Sequence, residues 1–143
     1  MWKFALMALW LISMSIFDLI DKRVPVWLLT VGGIPAIATA MYAYVKGTGS
    51  LIQILWGMFP GILLLAVAVL TKKAGWADGI VLLIMGLFTD LWECMVCFAV
   101  SLVIMSVVSL LLLVLRKAGR NTILPYIPFL CAGYLVSAVA LFA

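Results

Sequence analysis

The sequence contains no histidine and few charged residues, and these two absences restrict the kind of protein that it encodes. Charged residues make up 10% of its 143 residues and apolar residues 69%, whereas soluble domains contain about 25% charged residues. A water-soluble fold of this length cannot bury so much apolar surface. The composition therefore argues against a soluble enzyme or a nucleic-acid-binding protein, and it predicts a single membrane domain over residues 1–143.

The sequence also lacks the features of a disulfide framework, a zinc site and a basic tail. Its three cysteines, Cys94, Cys97 and Cys131, are an odd number in apolar surroundings, which does not indicate a disulfide framework. Cys94 and Cys97 form one C-x-x-C pair, and a zinc site needs further ligands, so we expect core packing and no metal. The net charge of +4 contains no like-charge run and therefore indicates membrane orientation rather than an anionic partner.

Apolar runs of about 20 residues, the length needed to cross a bilayer, predict an all-α membrane protein with six transmembrane helices. The N-terminal run resembles a signal peptide, but it reaches Asp18 without a small-residue cleavage site, so we interpret it as a retained span. Charges, prolines and polar turns separate the runs. The predicted spans are Trp2 to Ile20, Val26 to Val45, Leu51 to Leu70, Gly79 to Phe88, Cys94 to Leu115, and Pro125 to Ala143.

The predicted fourth span, Gly79 to Phe88, is unusually short. At a rise of about 1.5 Å per residue it does not cover the hydrocarbon thickness, so we expect a short or tilted helix or a locally thinned bilayer. The third span contains the pattern Gly57-x-x-x-Gly61, which permits close approach of a second helix. We expect this pattern to serve packing inside the chain rather than between chains.

The basic residues predict the orientation of the spans in the cell membrane. Because cytoplasmic loops are enriched in lysine and arginine, the first, third and fifth loops are expected in the cytoplasm and both termini outside. The even number of spans agrees with this arrangement. These loops contain seven of the nine basic residues: Lys22, Arg23, Lys72, Lys73, Arg116, Lys117 and Arg120.

The five acidic residues fall into two groups. Asp21, Asp90 and Glu93 lie in predicted loops or turns, where solvated surface charge explains them. Asp18 lies in the last turn of the first span and Asp78 at the start of the fourth, so the predicted topology places both at the cytoplasmic boundary. An ionisable residue at membrane depth is costly and is by default a functional hypothesis.

Two carboxyl groups that converge in a cleft of low dielectric constant cannot both ionise easily. One of them keeps its proton and the other acts as a base on water, as in aspartic proteases. This chemistry needs neither a metal nor a histidine, which suits the composition. The spacing alone leaves a simpler interpretation open, in which Asp78 caps the fourth helix and Asp18 pairs with a loop cation.

Three short motifs lie at the cytoplasmic ends of the predicted spans, and together they cover the two aspartates. The first, D-L-I-D-K-R-V-P, runs from Asp18 to Pro25 and contains Arg23. The third, P-Y-I-P-F-L, occupies residues 125–130. The second, G-W-A-D, consists of Gly75, Trp76, Ala77 and Asp78.

The order and spacing of these motifs, together with the six predicted spans, resemble those of the type IV prepilin peptidases. This is a family of membrane aspartic proteases that includes the archaeal preflagellin peptidases. The resemblance implies that Asp18 and Asp78 are catalytic and that Arg23, Pro25, Gly75, Trp76 and Ala77 belong to supporting motifs. It implies cleavage of the short basic leader of prepilin-like (pseudopilin) precursors at the cytoplasmic membrane face, without a cofactor. The implied partners are the precursor and the lipid bilayer, with no nucleic acid and with an undefined oligomeric state.

The chain departs from the family pattern at several positions. Ala77 replaces the second glycine of the family's G-x-G-D motif, Val26 replaces a polar residue, and Ile80 replaces a lysine of many longer members. The region with paired C-x-x-C motifs that accompanies N-methylation in longer members is missing, which leaves that second activity in doubt. Two alternatives stay open: a small proton-coupled transporter, which also keeps carboxylates in its helices, and a catalytically inactive relative of the peptidases.

Overall fold

The computed structural model describes residues 2–21, 24–71, 75–115 and 124–142, and this part of the chain is all-α. Helices α1, α2, α3 and α5 are long and apolar enough to cross a membrane, and α4 and α6 are shorter apolar helices. The predicted fold class, with its short fourth helix, is confirmed. The helices are α1 (Trp2–Asp21), α2 (Val26–Val45), α3 (Leu51–Thr71), α4 (Trp76–Phe88), α5 (Leu91–Val114) and α6 (Ile127–Phe142).

The predicted and observed helix bounds agree best in the first half of the chain. Helix α2 has the predicted bounds, and α1 and α3 are each one residue longer at their C-terminal ends. The three later starts differ from the predicted ones. Helices α4 and α5 begin three residues earlier, at Trp76 and Leu91, and α6 begins two residues later, at Ile127. Asp78 lies in the first turn of α4, as expected, whereas Glu93 lies in the first turn of α5 and not in the turn before it.

The two shortest helices, α4 and α6, both contribute buried side chains to the core, and α4 has the larger number of neighbouring helices. Helix α4 packs against α1, α2, α3 and α5, and α6 packs against α1 and α5. Fully buried side chains of the core include Leu82 and Met85 of α4, Leu130 of α6, and Leu11 and Met14 of α1. The long helices surround this core, and they expose apolar side chains outward, as expected of a protein whose solvent is lipid.

The contact between α3 and α4 depends on the glycine pair of α3. A Cβ atom added to Gly61 would lie 2.5 Å from the Cα of Leu83, and one added to Gly57 would collide with the carbonyl oxygen of Gly86. Small residues at these positions therefore let the two backbones touch. The prediction that the pattern serves packing inside the chain is confirmed.

The three cysteines contribute to the same core. Cys94, Cys97 and Cys131 are buried free thiols, and all three belong to the hydrophobic cluster that α1, α4, α5 and α6 share. This agrees with the predicted role in core packing. Within the part of the chain that the structure describes, no group of three or more histidine, cysteine or acidic side chains is arranged to hold a metal ion.

Candidate functional site

Asp18 and Asp78 come together where three helix ends meet. Asp18 lies in the last turn of α1, Asp78 in the first turn of α4, and the backbone N–H of Ile127, the first residue of α6, donates a hydrogen bond to the Asp18 carboxyl group. The two carboxyl groups are close enough to interact electrostatically. We call this part of the molecule the aspartate end: the C-terminus of α1 and the N-termini of α4 and α6.

Asp18 is the most unusual charged residue in the described part of the chain. It is 7% exposed, and no other charged side chain described there is buried. Its Oδ2 atom is buried without a hydrogen-bond partner among the described residues. Leaving a buried polar atom unpaired costs about 1–3 kcal/mol, more for a charged group, so such an atom in a native fold calls for a functional explanation.

The N-terminus of α6 supplies the counterpart of the Asp18 carboxyl group. The first N–H groups of a helix have no acceptor within that helix, and this end of the helix has a partial positive charge. Ile127 occupies this position and directs its N–H to Asp18. The helix end therefore supports negative charge on one part of the carboxyl group, while Oδ2 stays free of any described partner.

The end of α1 is held in place by contacts with the start of α2. The rings of Phe17 and Trp27 meet edge to face, with centroids 5.9 Å apart and an interplanar angle of 86°. Deeper in the bundle, the indole Nε1–H of Trp10 donates to the backbone oxygen of Leu28 at 2.9 Å. Phe17 directly precedes Asp18, so these contacts fix the position of the first carboxyl group.

Asp78 lies inside the first turn of α4, and the N-cap position ahead of it belongs to Gly75. This differs from the simpler interpretation in which Asp78 itself precedes the helix and caps it. A Cβ atom added to Gly75 would lie 2.9 Å from the Oδ2 and 3.4 Å from the Cγ of Asp78. The backbone of Gly75 has φ −70° and ψ 128°, which any residue adopts. A side chain at this position would therefore displace the Asp78 carboxyl group from the place it has beside Gly75.

Ala77, the departure from the family's G-x-G-D motif, has a helical backbone because it is the second residue of α4. An alanine in a helix carries no steric strain, since strain arises only where a non-glycine residue adopts positive φ. The structure therefore gives no conformational reason for a glycine at this position. If the methyl group of Ala77 lowers activity, it must do so through steric contacts with the groups that face this partly buried side chain.

The other residues of the predicted motifs contribute less directly. Pro25 is the N-cap residue of α2 and is partly buried. Trp76 opens α4 and is 62% exposed, so its ring covers little of the aspartate pair. Arg23 lies outside the described residues, as do the other six basic residues on which the predicted orientation depends.

The remaining acids only partly follow their predicted surface role. Asp21 and Asp90 are exposed, as expected of solvated charges. Glu93 is instead partly buried in the first turn of α5, where it lines a small cavity with Met85 and Tyr134. This cavity lies at the other end of α4, so Glu93 does not join the aspartate pair.

The structure adds two residues, Tyr126 and Ser101, that the sequence does not single out. Tyr126 is 8% exposed and lies close enough to Asp78 to interact with it electrostatically. Its hydroxyl group lies 2.8 Å from the Oγ of Ser101, a fully buried residue of α5. Their sequence signals are weak. Tyr126 is one of the six residues of the P-Y-I-P-F-L motif, and Ser101 is one polar residue in an apolar span.

The arrangement suits acid–base chemistry on water. One carboxyl group is buried with an oxygen that no described residue bonds, and the second lies nearby in the first turn of a helix. Two such groups in a site of low dielectric constant favour a state with one shared proton. No match for this chain was found among models of protein families, curated proteins or solved structures.

Proposed function

We propose that this protein is a membrane aspartic endopeptidase that removes the short basic leader of prepilin-like precursors. The observation that carries the proposal is the buried Asp18 carboxyl group, which lies beside Asp78 and has one oxygen without a hydrogen-bond partner among the described residues. The geometry supports the acid–base pair, and the resemblance of the three motifs supports the class of substrate. Neither support depends on the other.

In the proposed reaction the two carboxyl groups have complementary roles. The ionised carboxylate takes a proton from water as the water oxygen attacks the carbonyl carbon of the scissile peptide bond. The protonated carboxyl group donates to the carbonyl oxygen, which gives a tetrahedral diol. Collapse of the diol then breaks the C–N bond, and the departing amine receives a proton from the pair. All protons come from water and the pair, so the step needs no metal.

The position of the pair in the bundle fits cleavage beside a membrane. The aspartate end joins the C-terminus of α1 to the N-termini of α4 and α6, and the loops that follow α1, α3 and α5 in sequence contain seven of the nine basic residues. In our proposal this end faces the cytoplasm, all six helices cross the cell membrane, and both termini lie outside. A leader that precedes an apolar helix would then present its cleavage site at the depth of the pair.

The alternative of a proton-coupled transporter fits the site less well. Transporters place their carboxylates near the middle of the membrane, whereas Asp18 and Asp78 lie at one end of the bundle. An inactive relative would not explain why Asp18 is buried with its Oδ2 free of any partner in the described part of the chain, since an unused carboxyl group has no reason to persist at that cost. We therefore retain the peptidase as the function that the site supports best.

The test is cleavage by the purified protein in lipid nanodiscs. The substrate is a precursor with a short basic leader, a glycine and a long apolar helix, and mass spectrometry identifies the released leader. Asp18→Asn should abolish cleavage, while Asp21→Asn, a matched change of an exposed residue of the same helix, should keep it. An inactive wild-type protein, or an Asp18→Asn variant as active as Asp21→Asn, would overturn the proposal.

A further inference from the structure

The residues at the start of α6 connect the aspartate pair to a buried hydrogen bond in α5. Tyr126 is the last residue before α6, and its backbone oxygen accepts the first hydrogen bonds of the helix, from Phe129 at 3.0 Å and Leu130 at 3.1 Å. Tyr126 therefore occupies the N-cap position. The next residue, Ile127, gives its free N–H to Asp18. Tyr126 thus caps the start of α6, and the next residue, Ile127, bonds to the Asp18 carboxyl group.

The direction of the hydrogen bond between Tyr126 and Ser101 follows from counting protons. The hydroxyl of Ser101 donates its single proton to the backbone oxygen of Phe98, at 2.7 Å. A serine hydroxyl has one proton to donate and lone pairs to accept. While the Ser101 proton is engaged by Phe98, the Tyr126 hydroxyl, 2.8 Å from the Ser101 Oγ, is the group that can donate. This bond ties the side chain of Tyr126 to α5.

Helix α5 packs closely against α6 around Ser101, the residue that bonds to Tyr126. A Cβ atom added to Gly133 of α6 would lie 2.9 Å from the backbone oxygen of Cys97 and 3.0 Å from the backbone nitrogen of Ser101. The two helices therefore already touch through their backbones around Ser101. The bond from Tyr126 adds a second point of attachment, at the N-terminal end of α6, and this fixes where the first N–H groups of α6 lie.

We propose that Tyr126, acting through Ser101, is a positioning residue that holds the N-terminus of α6 so that the Ile127 N–H engages Asp18. This bond occupies one part of the carboxyl group and leaves Oδ2, which no described residue bonds, as the oxygen available to water. Tyr126 itself does not touch the reacting atoms in this proposal. The inference rests on the proposed function for its kinetic consequence, but its structural consequence can be measured without any substrate.

Tyr126→Phe removes only the hydroxyl group, and Ser101 keeps its bond to Phe98. We expect kcat to fall by roughly tenfold or more while KM changes by less than about twofold, because orientation of the pair is lost and substrate binding is not. Ser101→Ala should reproduce this effect. The double variant should be no slower than the slower single variant, since both changes remove one bond.

The chain offers a matched control in Tyr134→Phe. Tyr134 is another buried tyrosine of α6, 4% exposed, and its hydroxyl donates to the backbone oxygen of Phe4 in α1 at 3.5 Å. This change also removes a bond between helices, but away from the aspartate pair. It should leave kcat within about twofold of the wild type. Equal losses in Tyr134→Phe and Tyr126→Phe would show a general effect of stability and would overturn the inference.

Infrared spectroscopy provides the readout that does not need activity. In protein with 13C-labelled aspartate carboxyl groups, the band lost in Asp18→Asn identifies Asp18. That band should shift in Tyr126→Phe and in Ser101→Ala, because the carboxyl group loses its hydrogen bond, and should stay in place in Tyr134→Phe. An unshifted band in both site variants would overturn the inference. An inactive wild type whose band shifts as expected would overturn the proposed function alone.

Discussion

The two ends of the helix bundle contain similar polar residues but bond them differently. At the end formed by the C-terminus of α4, the N-terminus of α5 and the turn between α2 and α3, which we call the opposite end, four polar side chains bond within their own segment. The Thr48 hydroxyl donates to Ala43 at 3.2 Å and Thr89 to Met85 at 3.0 Å. Ser50 and Gln53 cap each other reciprocally.

At the aspartate end the polar groups are instead bonded between helices. Ile127 of α6 donates to Asp18 of α1, and Tyr126 pairs with Ser101 of α5, a residue 25 positions away in sequence. A buried oxygen without a partner in the described residues also occurs here, on Asp18. The local bonds at the opposite end stabilise turns and helix ends, whereas the bonds at the aspartate end join α1, α5 and the start of α6 around the buried carboxyl group.

The largest expected effect concerns which side of the membrane each end faces. Single cysteines at Lys73 and Gly119, in a background without the native cysteines, should be shielded from impermeant thiol reagents applied outside intact cells. A cysteine at Thr48, in the turn of the opposite end, should react. The expectation follows from the distribution of basic residues between the loops.

One labelling pattern would contradict the predicted membrane topology. Reaction at Lys73 together with protection at Thr48 would invert the topology. The aspartate pair would then face outward, where a cytoplasmic leader could not reach it.

The second effect compares acids at the two ends. Asp78→Asn should lower the cleavage rate by about 10²–10⁴-fold, because an amide cannot take or hold the proton that water activation requires. Asp90→Asn and Glu93→Gln, at the opposite end, should keep most of the activity. Rates measured on membrane-inserted protein at equal concentration decide the comparison, and a near-normal rate for Asp78→Asn would remove this residue from the pair.

The third effect compares one glycine from each end. Gly75→Ala should lower kcat by about tenfold or more, because the new methyl group would lie 2.9 Å from the Asp78 Oδ2 and displace the carboxyl group. Gly49→Ala is the matched control, since its Cβ would lie 3.4 Å from that of Ala43, an ordinary contact. Equal kcat values for both variants would mean that the position of the Asp78 carboxyl group does not limit catalysis.

Much of the fold could be predicted from the sequence because its physical causes are local. The bounds of α2 follow from Pro25 ahead of the helix and the polar turn after it. The misplaced starts of α4 and α5 have a local cause as well. Glu93 was interpreted as a turn residue and the apolar run of the fourth span was started after Asp78, although an acid in the first turn of a helix is favoured by the positive charge of that end.

The candidate site was predictable only where it depends on side-chain identity. Asp18 and Asp78 stand out because a carboxyl group is costly inside an apolar span. The Ile127 N–H gives no sequence signal, since every residue except proline has the same backbone donor. The pairing of Tyr126 with Ser101 depends on how α5 and α6 pack, and no periodicity of either segment contains that information.

The smallest expected effect concerns Ala77, which lies beside the pair but has no special backbone conformation. Ala77→Gly should change the cleavage rate by less than about tenfold, and it should destabilise the first turn of α4 by about 0.5–1 kcal/mol, because glycine is a poor helix former. Ala77→Val should be much slower, since its added methyl groups crowd a partly buried position next to Asp78. Initial rates and thermal unfolding of the three proteins provide the measurement. If only the Ala77→Gly variant cleaved the precursor, the methyl group of Ala77 would be what blocks activity in the wild type. The chain would then be a catalytically inactive relative of the peptidases.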